Sequence, residues 1–310
     1  MIYTLTLNPS IDYVMTVDGL ASGKVNRSSH EEIYFGGKGI NVSLMLNRLG
    51  VKSKALGFCA GFTGKAIDDG VRSEGVETDF VYLTDGASRI NVKIRSCGDH
   101  PDKTTESEIN GSGPKVNKKA ISELLSKLDQ LQDGDILVLS GSTPKAEDPS
   151  YNIYDEICKS LACKKLLLVV DTTGESLLKL LKYKPFLIKP NRDELAEIFG
   201  KFPETDEMIT EYAKKLMEMG AKNVLVSLAG DGSVLLDENR NITKLPACIG
   251  KTVNSVCAGD SMVAGFIAGY LQTGDYKFSQ RLGSACGSAT AFSSGLGDRE
   301  LIDRLFESIT

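Results

Sequence analysis

The sequence predicts a layered α/β fold built on a mainly parallel sheet, with a small β-sheet set apart from it. Three observations carry this. From about residue 134 onward, short apolar runs alternate with segments of helical period, the pattern of strands joined by crossover helices. Runs such as Leu166–Val170 are apolar at every position, which suits strands covered on both faces. Two further segments, about 12–35 and 87–110, lack helical period and alternate instead. The clearest case is "RINVKIRS", with Ile90, Val92 and Ile94 set against Asn91, Lys93 and Arg95. Strict alternation marks a strand with one wet or ligand-facing side. The two segments are read as a discontinuous β lid; edge hairpins of the main sheet are the alternative.

In chain order, "YTLTL" reads as the first strand, followed after the first alternating segment by a helix over Gly39–Leu49 and a strand in "KSKALGF". Beyond the second alternating segment come the strand "DILVLSG", a helix from about Pro149 to Leu161, and the strand "KKLLLVVD". A helix near Ser176–Lys182 leads to the strand "PFLIKPN". Helices over Arg192–Phe199 and Asp206–Met219 then precede the strand "NVLVSLAG"; the acidic Asp206–Glu207 pair is a helix start. Past residue 258 the period is helical throughout, over Gly259–Gln272, Lys277–Phe292 and Arg299–Ser308. No repeat or low-complexity tract intervenes, so residues 1–310 are read as a single domain carrying the lid.

Composition narrows the function classes. With 41% hydrophobic and 25% charged residues and a net charge of −5, the chain has no electrostatic footprint for nucleic acid or a membrane surface. No apolar run approaches the roughly 20 residues a bilayer crossing needs. The first residues read as a strand rather than a signal peptide. Seven scattered cysteines, an odd number without C-x-x-C spacing, fit reduced thiols and a cytoplasmic location. Two histidines, His30 and His100, argue against a zinc site or a His-based triad.

The glycine-rich stretches fail the common phosphate motifs. "CAGFTGKA" has Cys59 where a Walker loop needs its first glycine and Ala66 where it needs a hydroxyl, and "GGKGINV" lacks the third glycine of a dinucleotide fingerprint. A better candidate is "NSVCAGDSMVAGF", residues 254–266, where small residues lead into an apolar helix. Such a turn exposes backbone N–H groups at the positive end of a helix dipole and suits an anion. Asp260 in that turn is either a helix cap or a base taking a proton from a substrate hydroxyl. In "KPNRDE", Asn191 and Glu194 share a helix face at the end of a strand. They form a capping box or organise a hydrated Mg²⁺. "SLAGDG" (Ser227–Gly232) is a hairpin turn or a ligand loop.

In combination and order, "GGKGINVS", "SGSTPK", "KPNRDEL", "SLAGDG" and "AGDSMVAGF" resemble the ribokinase-like (phosphofructokinase B) carbohydrate kinases over nearly the whole chain. "NPSID", "RINVKI" and "DTTGESL" narrow the likeness to the branch acting on sugar phosphates, the 1-phosphofructokinase and tagatose-6-phosphate kinase types. The resemblance implies a three-layer α-β-α sandwich with a β lid that often serves as a dimer clasp. It implies transfer of the ATP γ-phosphoryl to a ketose phosphate, foremost fructose 1-phosphate, with tagatose 6-phosphate or fructose 6-phosphate as alternatives. Asp260 becomes the base, and the N–H groups of Ala258, Gly259 and Asp260 become the anion hole. Asn191 and Glu194 become the Mg²⁺ pair, acting through water. Ser227, Ala229, Gly230, Asp231 and Gly232, with Gly259 and Ser288, become the ATP site. Asp12, Gly36, Gly37 and Asn41 lie against the sugar, while Lys38, Arg27 and Arg89 meet its phosphate, with Lys24 and Lys145 as weaker members of that set.

One position departs from the family. Cys257 stands where glycine is usual. It is expected to be tolerated with its sulfur turned from the phosphate, or to be an activated thiol at a helix N-terminus. A third reading is a sugar-phosphate-binding protein weakened in catalysis by this residue.

Overall fold

The computed structural model describes residues 1–97, 104–144, 146 and 151–309. The expected helix start at Pro149, and Lys145, lie outside them, as does part of the second alternating segment. The apolar runs form the main sheet. From one edge its strands are Ile242–Leu245, Ser233–Leu236, Asn223–Ser227, Leu187–Ile188, Leu167–Asp171, Ile136–Ser140, Ile2–Thr6, Lys54–Ala60 and Glu77–Thr78. Val81–Leu83 also pairs with Lys54–Ala60. Pairing is parallel from Asn223–Ser227 across to Glu77–Thr78, and antiparallel in the hairpin at the other edge.

Successive residues of one strand feed opposite cores, as the period of two requires. Leu137 and Leu139 pack with Ile121, Leu124, Ile157, Leu177, Leu195 and Leu216 from helices on one face. Ile136 and Val138 pack with Val42, Met45, Val263, Phe266, Ala285 and Ile302 from helices on the other. The result is a three-layer α-β-α sandwich.

Helix positions follow the sequence closely at Lys38–Arg48, Arg192–Phe199, Asp206–Glu218, Ala258–Thr273, Tyr276–Ala291 and Arg299–Ser308. The expected helix 149–161 is observed over Ile153–Ser160, and that near Ser176–Lys182 over Gly174–Leu180 with a 3-10 turn after it. Two helices stand where none was assigned. Gly61–Ser73 is masked in sequence by three glycines, poor helix formers. Gly70 is among them because a Cβ there would fall 2.1 Å from the Phe35 ring. Lys118–Leu128, capped by Asn117, buries Ile121, Leu124 and Leu128, a period that was present to be read.

Four strands form the separate small sheet, in the order Ser28–Gly36, Ser10–Val17, Arg89–Cys97, Thr104–Asn110. They are not edge hairpins of the main sheet. In Arg89–Cys97 the alternation is inverted: Asn91 and Lys93 are each 7% exposed, whereas Ile90 is 42% exposed, and Ile109 on the neighbouring strand is 65% exposed. The polar face turns toward the body of the protein.

Candidate active site

The turn before the Ala258–Thr273 helix sets the site. Cys257 precedes the helix in left-handed backbone, φ 64°, and no side chain caps the helix. Asp260 is therefore inside the first turn and is not the cap. The Ala258 N–H points at the Ser255 carbonyl at 3.3 Å. That narrows the expected anion hole to the N–H groups of Gly259 and Asp260. Gly259 is bare for a steric reason: a Cβ there would lie 3.0 Å from Lys189 Nζ, so an ammonium stands directly against the turn.

Asp260 is buried, and its Oδ2 accepts from Asn41 Nδ2 at 2.8 Å. The same Asn41 amide donates to Cys257 Sγ at 3.1 Å. Burial, then the nearby Asp171 charge, push Asp260 up to about 7, against the downward pull of Lys38, the Asn41 hydrogen bond and Lys189. A carboxyl tuned to that range is suited to proton acceptance near neutral pH. Burial, then the carboxylates of Asp260 and Asp12, push Cys257 well above the usual thiol range against the pull of Lys93, the direction opposite to that of an activated thiol.

Two cavities lie beside this centre; Asp260 itself lines neither, but Lys38 lines the first and Asn41, the hydrogen-bond partner of Asp260, lines the second. The first, about 440 Å³, is lined by Thr6, Asn8, Gly37, Lys38, Arg89, Ser140 and Thr172 among others. Gly37 has φ 126°, and a Cβ there would lie 2.5 Å from Thr6 Cγ2, so only glycine lets the chain enter the Lys38–Arg48 helix here. Arg89 Nε donates to the Asn8 carbonyl at 2.9 Å. Buried Ser140 Oγ and Thr172 Oγ1 have no hydrogen-bond partner among the described residues. The second cavity, about 480 Å³, is lined by Asp12, Gly36, Asn41, Lys93, Arg95 and Cys257 among others. Asp12 Oδ1 accepts from Ser10 Oγ and Asn91 Nδ2, both at 2.8 Å. Cys257 thus lines this second cavity. Arg27 and Lys24 are exposed in the 18–27 connection, which projects into solvent, and line neither cavity.

Residues that sequence reasoning left unassigned complete the centre. Asp171, 2% exposed, places one oxygen 3.4 Å from Lys38 Nζ and the other 3.4 Å from Lys189 Nζ. Asp171 stands in "DTTGESL" and Lys189 in "KPNRDEL", both at carboxyl ends of parallel strands, where open α/β sheets gather ligands. That position was the available signal. Lys93, on the polar face of the small sheet, was likewise missed.

On the opposite flank, Asn191 and Glu194 form a reciprocal capping box, with Glu194 N–H donating to Asn191 Oδ1 at 2.8 Å and Asn191 N–H to Glu194 Oε2 at 2.9 Å. No group of three His, Cys, Asp or Glu close enough to ligate a metal occurs among the described residues. Glu194 Oε1 stays outside the box, a donor set that fits a Mg²⁺ keeping its waters rather than a closed protein cage. The Ser227–Gly232 turn adjoins Asn191, with Ser227 N–H donating to the Pro190 carbonyl at 3.0 Å. Asp231 is paired with Arg192, which ties this turn to the helix start, while Gly230 faces open space. Ala229 has φ 50°, and Gly232, φ 94°, lies against the Leu245 carbonyl. Ser288 is one turn beyond Ser284, whose hydroxyl lies 3.1 Å from Ser233 Oγ.

The pattern described as pfkB family carbohydrate kinase matches residues 5–302. The chain is 45% identical over 310 residues to the 1-phosphofructokinase of Bacillus subtilis, covering 100% of this chain and 98% of that protein. It is 40% identical over 311 residues to the D-tagatose-1-phosphate kinase of Bacillus licheniformis, again with 100% and 98% covered. Escherichia coli phosphofructokinase-2 in complex with fructose-6-phosphate matches with TM-score 0.89 and 25% identity over 99% of this chain and 98% of that one. Since the match runs from the first strand into the last helix, the chain belongs to the pfkB family of carbohydrate kinases.

Proposed function

We propose that this kinase transfers the γ-phosphoryl of ATP to fructose 1-phosphate, giving fructose 1,6-bisphosphate and ADP. The observation that carries the reading is the buried Asp260 carboxylate in a turn with free N–H groups, hydrogen-bonded to Asn41, which lines one cavity, and under the charge of Lys38, which lines the other. Asp260 in its ionised form takes the acceptor hydroxyl proton. The acceptor oxygen bonds to the γ-phosphorus as the bond from that phosphorus to the β,γ-bridging oxygen breaks, and ADP departs with the electron pair. Gly259 and Asp260 N–H groups and Lys189 hold the equatorial oxygens, where charge must be met during transfer.

Asp12, Gly36, Gly37 and Asn41 lie against the sugar. Lys38, Arg89 and the unpartnered hydroxyls of Ser140 and Thr172 receive its own phosphate. Ser227–Gly232 and Ser288 border the ATP site. Mg²⁺, organised through water by Glu194 beside Asn191, neutralises phosphate charge when bound.

The fructose reading rests on the 45% identical relative named 1-phosphofructokinase; a tagatose phosphate is the second reading, favoured by the 40% identical relative. The apolar outer face of the small sheet, with Ile33, Ile90 and Ile109 exposed, supports a homodimer clasped through that sheet, which would also act as the lid. Free thiols at Cys59, Cys158, Cys163, Cys248, Cys257 and Cys286 support a cytoplasmic setting, and no helix among the described residues can cross a membrane.

The test is ADP release with fructose 1-phosphate, fructose 6-phosphate, tagatose 1-phosphate, tagatose 6-phosphate and ribose. Fructose 1-phosphate should give the highest kcat/KM, and equal use of ribose would remove the phosphate-binding role. Asp260→Asn should lose about 10²–10⁴-fold in turnover. Because the base acts deprotonated, kcat/KM should fall as pH drops below about 7. The same raised value has a stability sign: the folded state holds this proton more tightly than the unfolded one, so stability is lost as pH rises through the interval up to about 7. Asp260→Asn should therefore melt higher than wild type at pH 8.

A further inference from the structure

Two ammonium groups next to a buried catalytic carboxylate pose a physical problem. Left to themselves, Lys38 and Lys189 would pair with Asp260, occupying the oxygen that must accept the proton and depressing its basicity. They do not. Each pairs with a different oxygen of Asp171, at 3.4 Å, and Asp260 enters no ion pair among the described residues. We propose that Asp171 is a positioning residue that acts through Lys38 and Lys189: its carboxylate holds both ammonium groups off Asp260, leaving the base free and both cations available to phosphoryl oxygens.

The geometry has the features this role requires. Both lysine contacts are long, and Asp171 Oδ2 makes no hydrogen bond among the described residues, so the lysines are held without being consumed. Lys38 reaches the first cavity while Lys189 stands against the Gly259 turn. One carboxylate thereby divides two cations between the acceptor side and the transfer side. The charged and polar groups around Asp260 are Asp171, Lys38 and Lys189, together with the Asn41 amide and the Cys257 thiol. Glu194 acts on Lys38 from further away. Against its own burial, which acts upward, Lys189 and Lys38 hold Asp171 below the usual carboxylate range, so it keeps its charge across the working pH.

The inference rests on Asp260 being the base. In Asp171→Asn the freed lysines should turn to Asp260, moving the acid limb of kcat/KM down by about 1–3 pH units and raising KM for both ATP and the sugar phosphate. The limb also moves through the direct charge of Asp171 on Asp260, so the lysine role is read from the limb and both KM values together: loss of a merely structural contact would lower the melting temperature and leave KM for ATP and the sugar phosphate in place. Should Asp171→Asn not fold because two buried cations lose their partner, the charge-balanced Asp171→Asn/Lys38→Met protein is the second arm. There Lys189 is the remaining cation acting on Asp260, and the limb should still lie below wild type. An unmoved limb in either folded variant overturns the proposal. Near-normal turnover of Asp260→Asn, measured alongside, would instead remove the base and with it the proposed function.

Discussion

The main sheet and the small sheet use the same alternation of side chains to opposite ends. In Ile136–Ser140 every residue is buried, because helices cover both faces and consecutive residues feed separate cores. In Arg89–Cys97 the polar members Asn91 and Lys93 are the buried ones, and Ile90 is exposed. One sheet is held by the hydrophobic effect within the chain. The other turns its hydrogen-bonding side, with Asp12 and Lys93, to the second cavity and leaves its apolar side exposed. Stability and recognition are thus divided between two sheets joined by residues 7–9 alone at the first crossing.

Substitutions that truncate each sheet should separate these roles. Leu139→Ala, at a fully buried position, should cost about 2–5 kcal/mol of stability, read as the urea midpoint. Val92→Ala in the small sheet should barely move that midpoint; an equal loss from both would erase the distinction. Next in size, Ile109→Asp should abolish the proposed homodimer, since fully burying an aliphatic side chain is worth about 1.5–3 kcal/mol. Sedimentation would show a monomer with raised KM for the sugar phosphate, and a dimer retained in Ile109→Asp and Ile33→Asp would reassign the apolar face. Smallest is Cys257→Gly. Releasing left-handed strain of about 1–2 kcal/mol is offset by the added freedom of glycine in the unfolded chain, about 0.4–1 kcal/mol. Melting temperature should shift by a few degrees at most and turnover should stay at or above wild type; a large loss would give the thiol a role in catalysis.

The main sheet was legible in the sequence because burial on both faces writes continuous apolar runs, as at Leu166–Val170. The small sheet was legible as alternation, but not which side was wet: "RINVKI" reads the same whichever face meets the body of the protein. At the site, Asp260 and Asn41 could be read from family motifs. The pairing of Asp171 with two lysines could not, since Lys38, Asp171 and Lys189 are far apart in sequence and meet only where strand ends converge. Asn191 and Glu194 show a different limit. Their spacing fits a cap and a metal relay equally, and the structure uses Asn191 Oδ1 and Glu194 Oε2 for the cap while Glu194 Oε1 takes no part in it. The helix at Gly61–Ser73 was hidden by glycines whose purpose, admitting Phe35 at Gly70, is tertiary.

The left-handed backbone at Cys257 has a consequence for how this position can change over time. Either cysteine codon becomes a glycine codon by a single base substitution, so the residue best suited to that conformation is always one mutational step away. A lineage selected for faster flux has ready access to it, whereas any other side chain arriving there inherits the strain without the sulfur contact to Asn41.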